Sequence, residues 1–379
     1  MHFQLTEEQT LIQDMAKNFA ESELAPYSSK WDEEKILDRE IFTKAAKLGF
    51  CGIYTSEAHG GTGLSRLSSA IVFEQLSRGD VSHTAMLTIH NMATWMIDTY
   101  GSDELRARFV PRLTAGELIA SYCLTEPGAG SDAASLSTKA VKEGDSYILN
   151  GTKTFISGAG WSDVYVVMAR TRNDGAKGIS CFVVEKGAEG LSFGPNEKKM
   201  GWNAQPTAQV IFEDCRIPVA NLVGAEGAGF RFAMSGLDGG RINIGACSLG
   251  GAQKALDAAL QYTKERKQFG KPISAFQNTQ FMLSDMATEL EASRLLIYRA
   301  ADMLDHKRAG TGAACAMAKR YATDMCSKIA NDALQLHGGY GYLSEYGIEQ
   351  IVRDLRVHQI LEGTNQIMRV IISRDLDRQ

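Results

Sequence analysis

The chain has no surplus of positive charge: 40 Lys and Arg stand against 45 Asp and Glu, a formal net charge of −5. Nothing in that balance would neutralise a phosphate backbone, so nucleic-acid binding is excluded as its main work. It has no apolar run near the ~20 residues that cross a bilayer, and no membrane span is expected. The opening residues Leu5-Thr6-Glu7-Glu8-Gln9 lack the basic stretch and apolar core of a targeting segment. The expectation is a cytoplasmic protein of bacterial type, or a mitochondrial matrix protein if the chain is a processed eukaryotic form. Seven cysteines make an odd number with no CxxC pair and no zinc-ligand spacing, so reduced, mostly buried thiols are expected. The seven histidines form neither HExxH nor a regular ligand pairing, and no GxSxG elbow occurs. Metal and serine-hydrolase chemistry therefore lack support. Internal repeats and Pro-rich linkers are missing too, which points to one compact subunit.

What is present is a helix–strand–helix order along 379 residues, long enough for two or three cores. Over residues 1–119 apolar side chains recur at helical spacing, as in Leu11, Ile12, Met15 and Phe19. Thr6 with Gln9 starts the first helix and Pro26 stops it; Ser102 is placed to cap another. Over residues 120–223 short runs rich in Val, Ile, Tyr and Phe alternate with Gly, Asn and Asp, the pattern of an antiparallel β domain. Asn150-Gly151 between two such runs predicts a tight hairpin turn. From 224 to 379 the helical period returns, notably over 279–304, 313–336 and 367–376, and predicts a four-helix bundle. The fold class is α+β.

Five short stretches carry the candidate chemistry. Residues 122–132, YCLTEPGAGSD, run from a strand into a Gly-rich turn whose exposed N–H groups suit a flat ring or a phosphate. The blander reading is a plain loop, and a dinucleotide-binding βαβ unit is disfavoured because the stretch opens a β domain. FISGAGW at 155–161 places aromatics beside a small polar turn, where they could stack on a cofactor or simply close the β core. In RKQFG at 266–270 two cations end a helix: a diphosphate clamp, or a solvated last turn. QLHGGYGY at 335–342 breaks a long helix with three glycines. In LEGTNQ at 361–366, Glu362 stands beside apolar residues at a chain reversal, where desolvation would make it a useful general base. An arbitrary glutamate near a helix start is otherwise a surface residue.

Taken together, the order and separation of these stretches resemble the acyl-CoA dehydrogenases, from Leu5 to Leu376. The segments IHNMATWMID at 89–98, GISCFVVEKG at 178–187 and MGWNAQPT at 200–207 resemble family members that act on short, branched acyl thioesters. The resemblance implies α,β-dehydrogenation of a short acyl-CoA, an FAD in each subunit of a homotetramer, and an electron-transfer flavoprotein as electron acceptor. It implies that Glu362 is the α-proton base, and that Ser131, Asp238, Arg241, Gly363 and Arg374 touch the CoA thioester. It further implies that Tyr122, Leu124, Thr125, Gly130, Ser131, Phe155, Ile156 and Ser157 line the flavin, with Thr364 and Gln366 beside it. Arg266, Gln268, Phe269, Phe276, Gln277, Gln335, Leu336, Gly338 and Gly339 would reach the cofactor of a neighbouring subunit. The isovaleryl branch of the family carries its base in the residue before the arginine matching Arg241; here that residue is Gly240. A straight-chain butyryl-type dehydrogenase, an acyl-CoA oxidase and a catalytically silent acyl-CoA-binding protein are the alternatives.

Overall fold

A computed structural model describes residues 4–377. The first helix, α1 (Glu7–Phe19), starts as the sequence implies: the Gln9 N–H donates to Thr6 Oγ1 at 3.2 Å and the Thr6 N–H donates to Gln9 Oε1 at 3.0 Å. It widens into a π turn over Ala20–Leu24 and ends short of Pro26. Helices α2 (Ser28–Glu34) and α3 (Arg39–Lys47) follow, and then α4 (Arg66–Gly79) and α5 (Val81–Tyr100). Both α4 and α5 are buried nearly all round, as fits helices in the middle of a large core. Ser102 caps α6 (Asp103–Thr114), accepting the Leu105 N–H at 3.2 Å.

The strands β1 (Ala120–Cys123), β2 (Lys139–Glu143), β3 (Ser146–Ser157), β4 (Val164–Arg170), β5 (Ile179–Glu185), β6 (Leu191–Phe193), β7 (Thr207–Pro218) and β8 (Leu222–Val223) form one sheet. Its order is β6-β7-β3-β2-β4-β5-β8, with β1 added beside β4. Most pairings are antiparallel, but β1 and β2 each run parallel to β4. Val164, Val166 and Met168 on β4 face the helices while Tyr165, Val167 and Ala169 face the opposite core. Burial on both faces explains the unbroken apolar run of β4.

The Asn150-Gly151 turn is a correction. Strand β3 passes straight through both residues, and the real hairpin is β2–β3 around Gly144, at φ +62°. Asn150-Gly151 instead faces a β-bulge whose extra residue lies on β7, where Asp214 takes φ +52°. The Asn150 amide satisfies that bulge, donating to Asp214 Oδ1 at 2.9 Å and accepting the Asp214 N–H at 2.8 Å. A polar side chain serving a neighbouring strand reads in sequence like one serving its own turn.

Three long helices, α7 (Gly229–Glu265), α8 (Gln277–Asp305) and α9 (Thr311–His337), make the C-terminal bundle. The short α10 (Ile348–Arg356) packs on α7 and α9, and α11 (Asn365–Leu376) on α9 completes the bundle as its fourth and shortest member. One apolar cluster runs from α1, α4 and α5 into α7, α8 and α9, so the two helical regions share a core. A second joins α5, α6 and the start of α7 to the sheet, and a third lies on the sheet's other face. All seven cysteines are buried free thiols. Among the described residues no helix is long and apolar enough to cross a membrane.

Helices α4 and α7 approach backbone to backbone at Gly250, where an added Cβ would overlap the Glu74 carbonyl oxygen and Ser77 Oγ. Gly250→Ala must push these helices apart. It is expected to destabilise the protein by about 1–3 kcal/mol in urea unfolding, because a packed interior cannot absorb an extra methyl group. An unchanged unfolding midpoint would show that the contact has slack.

Candidate active site

Between the 3-10 turn Val357–Gln359 and α11 the chain reverses through Leu361, Glu362 and Gly363. Gly363 takes φ +90° freely, but Glu362 sits at φ +55°, which costs a residue with a Cβ about 1 kcal/mol or more. The loop is held from beneath. Arg241 Nε, on α7, donates to the Glu362 carbonyl at 3.4 Å, and Lys319 Nζ, on α9, donates to the Gly363 carbonyl at 2.8 Å and to Asn365 Oδ1 at 2.9 Å. Asn365 donates onward to Thr323 Oγ1 at 2.9 Å and Asp324 Oδ1 at 2.7 Å. Thr364 caps α11 by accepting the Ile367 N–H at 3.3 Å.

This clamp sets the Glu362 carboxylate against α7 at Gly240, where an added Cβ would come 2.6 Å from Oε2. That oxygen is buried and has no hydrogen-bond partner. Burial pushes the carboxyl up to about 7, against the opposing pull of the Arg241 and Lys319 cations. Burial in turn brings Lys319 down to about 8. Tyr122 on β1 points a second buried, unpartnered oxygen into the same region; burial and the Glu362 charge together push its phenol well above the ordinary range. Asp238, one turn before Arg241, accepts from its Nη1 at 2.6 Å, and burial raises its carboxyl while Arg241 opposes the rise. The Glu362 N–H donates to no acceptor within the described chain. The site thus offers a base near neutrality and a free donor on the same residue.

The Gly-rich stretch is anchored by a buried ion pair. Lys153 Nζ donates to Glu126 Oε1 at 2.8 Å and to the Leu124 carbonyl at 3.1 Å, while Glu126 also accepts the Ser137 and Thr138 N–H groups at 2.6 and 2.9 Å. These partners outweigh burial and hold the Glu126 carboxyl down at about 2. A second bulge, this time on β3 between Lys153 and Ile156, turns Lys153 inward and throws Phe155, at φ +58°, out to 67% exposure. Leu124 and Ile156 are buried, Thr125 accepts the Thr154 N–H at 2.9 Å, and the Ser157 carbonyl accepts from Ser121 Oγ at 2.6 Å. Beyond Glu126 the chain opens: an added Cβ on Gly128 or Gly130 would meet nothing within 4 Å, and Ser131 is exposed.

A separate cavity of about 570 Å3 is lined by Arg266, Gln268, Gln335, Leu336, Gly338 and Gly339, with Tyr340 in its wall. The Arg266 guanidinium lies 5.3 Å from the Tyr340 ring centre. Phe269 stands 94% exposed beside Phe276, and Gln277 begins α8 at the surface. Gln366 is exposed in the first turn of α11 and Arg374 in its last. The structure therefore brings Glu362, Gly363, Thr364, Arg241, Asp238 and Tyr122 together and gathers six of the outlying residues around one cavity. Among the described residues Arg374 shares no hydrogen bond or ion pair with the Glu362 group.

Lys319 and Lys153 escaped the reading of the sequence. Each left a trace there: Lys319 falls on the buried stripe Cys315, Lys319, Thr323, Cys326, and Lys153 falls inside a strand of buried residues. A cation at a core position of a periodic pattern is a marker for a buried polar network.

An ionised Glu362 opposes folding, because its carboxyl is held near 7 against an ordinary 4.5. The penalty is absent below the ordinary value, grows as pH rises toward 7 and is constant above it. Glu362→Gln is expected to raise stability at pH 8 by up to about 3 kcal/mol relative to its effect at pH 4. Urea unfolding of the FAD-saturated protein at both pH values checks this, and an equal effect at both would show that the carboxyl is not desolvated.

The chain matches the acyl-CoA dehydrogenase N-terminal domain over residues 6–117, the middle domain over 121–215 and the C-terminal domain over 227–376. It is 57% identical to the mitochondrial isobutyryl-CoA dehydrogenase of Dictyostelium discoideum, over 99% of this chain and 90% of that protein. It is 56% identical to the mitochondrial isobutyryl-CoA dehydrogenase of Bos taurus, over 98% and 89%. The solved butyryl-CoA dehydrogenase of Megasphaera elsdenii superposes with a TM-score of 0.97 at 37% identity, covering both chains fully. Sequence and fold agree that this chain belongs to the acyl-CoA dehydrogenase family, FAD-dependent enzymes that remove hydrogen from the α and β carbons of an acyl-CoA.

Proposed function

We propose that this enzyme oxidises a short, branched acyl-CoA, isobutyryl-CoA above all, and that Glu362 takes the α-proton. One observation carries the role of Glu362: its buried, unpartnered Oε2 lies over Gly240, with the carboxyl brought to about 7. A thioester α-proton is weakly acidic, so the base must be strong yet largely ionised near neutral pH, which a desolvated carboxylate provides. The unpaired Glu362 N–H is the natural donor to the thioester oxygen, where negative charge grows as the proton leaves. Arg241 and Lys319 keep base and donor in register by fixing the loop that carries both. Asp238 and Gly363 border the same space and are proposed to hold the thioester end, with Ser131 and Arg374 further out along the CoA.

FAD, when bound, accepts the hydride leaving the β carbon, which no side chain can do. The residues present fit it. Open space over Gly128 and Gly130 and the orphan Tyr122 hydroxyl suit a flat ring laid along Leu124, Thr125, Ile156 and Ser157, with exposed Phe155 at its edge. The bare Gly338 and Gly339 and the Arg266 cation suit a diphosphate and its nucleoside from a neighbouring copy. A homotetramer is proposed on that division, with an electron-transfer flavoprotein as acceptor. Seven reduced thiols favour a reducing compartment, cytoplasm or mitochondrial matrix. Likeness to the Megasphaera enzyme favours a second reading, a straight-chain butyryl substrate.

Comparing kcat/KM for isobutyryl-, butyryl-, isovaleryl- and octanoyl-CoA decides the substrate. The branched four-carbon chain is expected to lead, and a lead for octanoyl-CoA overturns the assignment. Peroxide formed rapidly with oxygen as sole acceptor would mark an oxidase instead.

Glu362→Gln should still bind FAD and acyl-CoA, yet slow flavin bleaching on anaerobic mixing by ~10²–10⁴-fold. Bleaching at the wild-type rate would assign the proton to another group. Arg266→Ala is expected to lower FAD content per subunit, read as flavin absorbance against protein; full occupancy removes Arg266 from the cofactor site.

A further inference from the structure

Arg66 opens α4, and its side chain is buried to 8% exposure in the seam between the N-terminal helices and α7. Its guanidinium lies 3.5 Å from the Tyr54 ring centre and 4.9 Å from that of Trp95. Among the described residues it forms no ion pair. Asp305, the acid at this helix start, is taken up by the backbone N–H groups of Arg66 at 2.7 Å and Leu67 at 3.1 Å. Asn243 on α7 donates to the Tyr54 hydroxyl at 3.2 Å and fixes one of the two rings.

A buried guanidinium without a carboxylate is a costly way to fill space. Leucine or methionine would pack a seam between helices without desolvating a charge. What arginine adds is a broad, flat end that two aromatic faces can grip, so that it does not swing as a methionine would. The opposite wall of the seam is correspondingly bare. An added Cβ on Gly239 would come 2.5 Å from Arg66 Nη1, and one on the next residue, Gly240, would come 2.6 Å from Glu362 Oε2. One turn earlier, an added Cβ on Gly236 would come 3.3 Å from the sulfur of Met96. The stripped stretch of α7 thus has the base on one side and the clamped guanidinium immediately beside it.

We propose that Arg66, gripped by Tyr54 and Trp95, is the rigid stop of the acyl pocket and so a specificity-determining residue that limits the enzyme to short acyl chains. The inference rests on the reading of the site as an acyl-CoA dehydrogenase with Glu362 as base. A chain lying with its α carbon at Glu362 and running along the bare face of α7 meets the guanidinium within a few carbons. Each further methylene then needs space the clamped group does not yield.

The test is a chain-length profile, kcat/KM from butyryl- to octanoyl-CoA, for wild type and Arg66→Ala, with FAD content and unfolding midpoint measured alongside. The variant is expected to gain on hexanoyl- and octanoyl-CoA relative to butyryl-CoA by about tenfold or more, the worth of one or two accommodated methylenes. Arg66→Met separates shape from charge: a flexible apolar side chain of similar length should broaden the profile partway. Equal loss on every chain length in both variants, through a raised KM, would mean that Arg66 binds the common CoA thioester portion, and would overturn the proposal. An unchanged profile in a folded, flavin-loaded variant overturns it too. If Arg66→Ala does not fold, Arg66→Leu is read by the same criteria. Wild type inactive on every acyl-CoA would sink the underlying reading, whereas wild-type activity with an unaltered variant profile sinks this inference alone.

Discussion

Glu362 keeps one carboxylate oxygen in the volume that any side chain at position 240 would claim, out of contact with a hydrogen-bond donor. An ionised oxygen in that setting is unstable, and the surrounding structure reads as the means of holding it there. The left-handed backbone at Glu362 aims the side chain at α7, and Arg241, Lys319 and Asn365 prevent the loop from relaxing. The two cations sit near enough to moderate the carboxyl yet bond the loop's carbonyls instead of neutralising it. Had either formed a direct ion pair with Glu362, the carboxyl would fall toward the acidic range and lose its value as a base.

The same arrangement explains why a glycine and a glutamate 122 positions apart in numbering depend on one another, through a single shared volume. A carboxylate at 240 and one at 362 would meet in the same place. With Glu362 as the proposed base, the isovaleryl branch, as the resemblance describes it, and this chain would put a base at one point in space from opposite sides. A desolvated Glu362 charge costs stability, and the wide apolar core that the two helical regions share offsets it.

Each region contributes a different kind of support. The sheet supplies rigid loops, and its two bulges convert a regular strand pairing into an inward Lys153 and an outward Phe155. The bundle supplies the floor of the base loop and, at the far end of α7 and α9, a second cavity. The N-terminal region sets Arg66, between the Tyr54 and Trp95 rings, against Gly239 of α7. Glu362 Oε2 and the Tyr122 hydroxyl are buried polar groups without partners in this region.

From the sequence by itself came the three regions, the capping box at Thr6, the helix start at Ser102 and the chain reversal at Glu362, because these rest on local pattern or on short stretches of fixed spacing. Local chemistry misled at Asn150-Gly151, where an amide that bonds across strands to Asp214 imitates a turn residue bonding at home. The mixed sheet was hidden for a related reason, since β4 is covered on both faces and shows no alternation. Lys319, Lys153 and Arg66 became meaningful only in three dimensions. A charge takes its energy from what surrounds it, and their surroundings are assembled from helices and strands far apart along the chain. The candidate residue types could be read one by one, but the closeness of Glu362 to Gly240, and of Arg66 to Gly239, was decided only by tertiary packing.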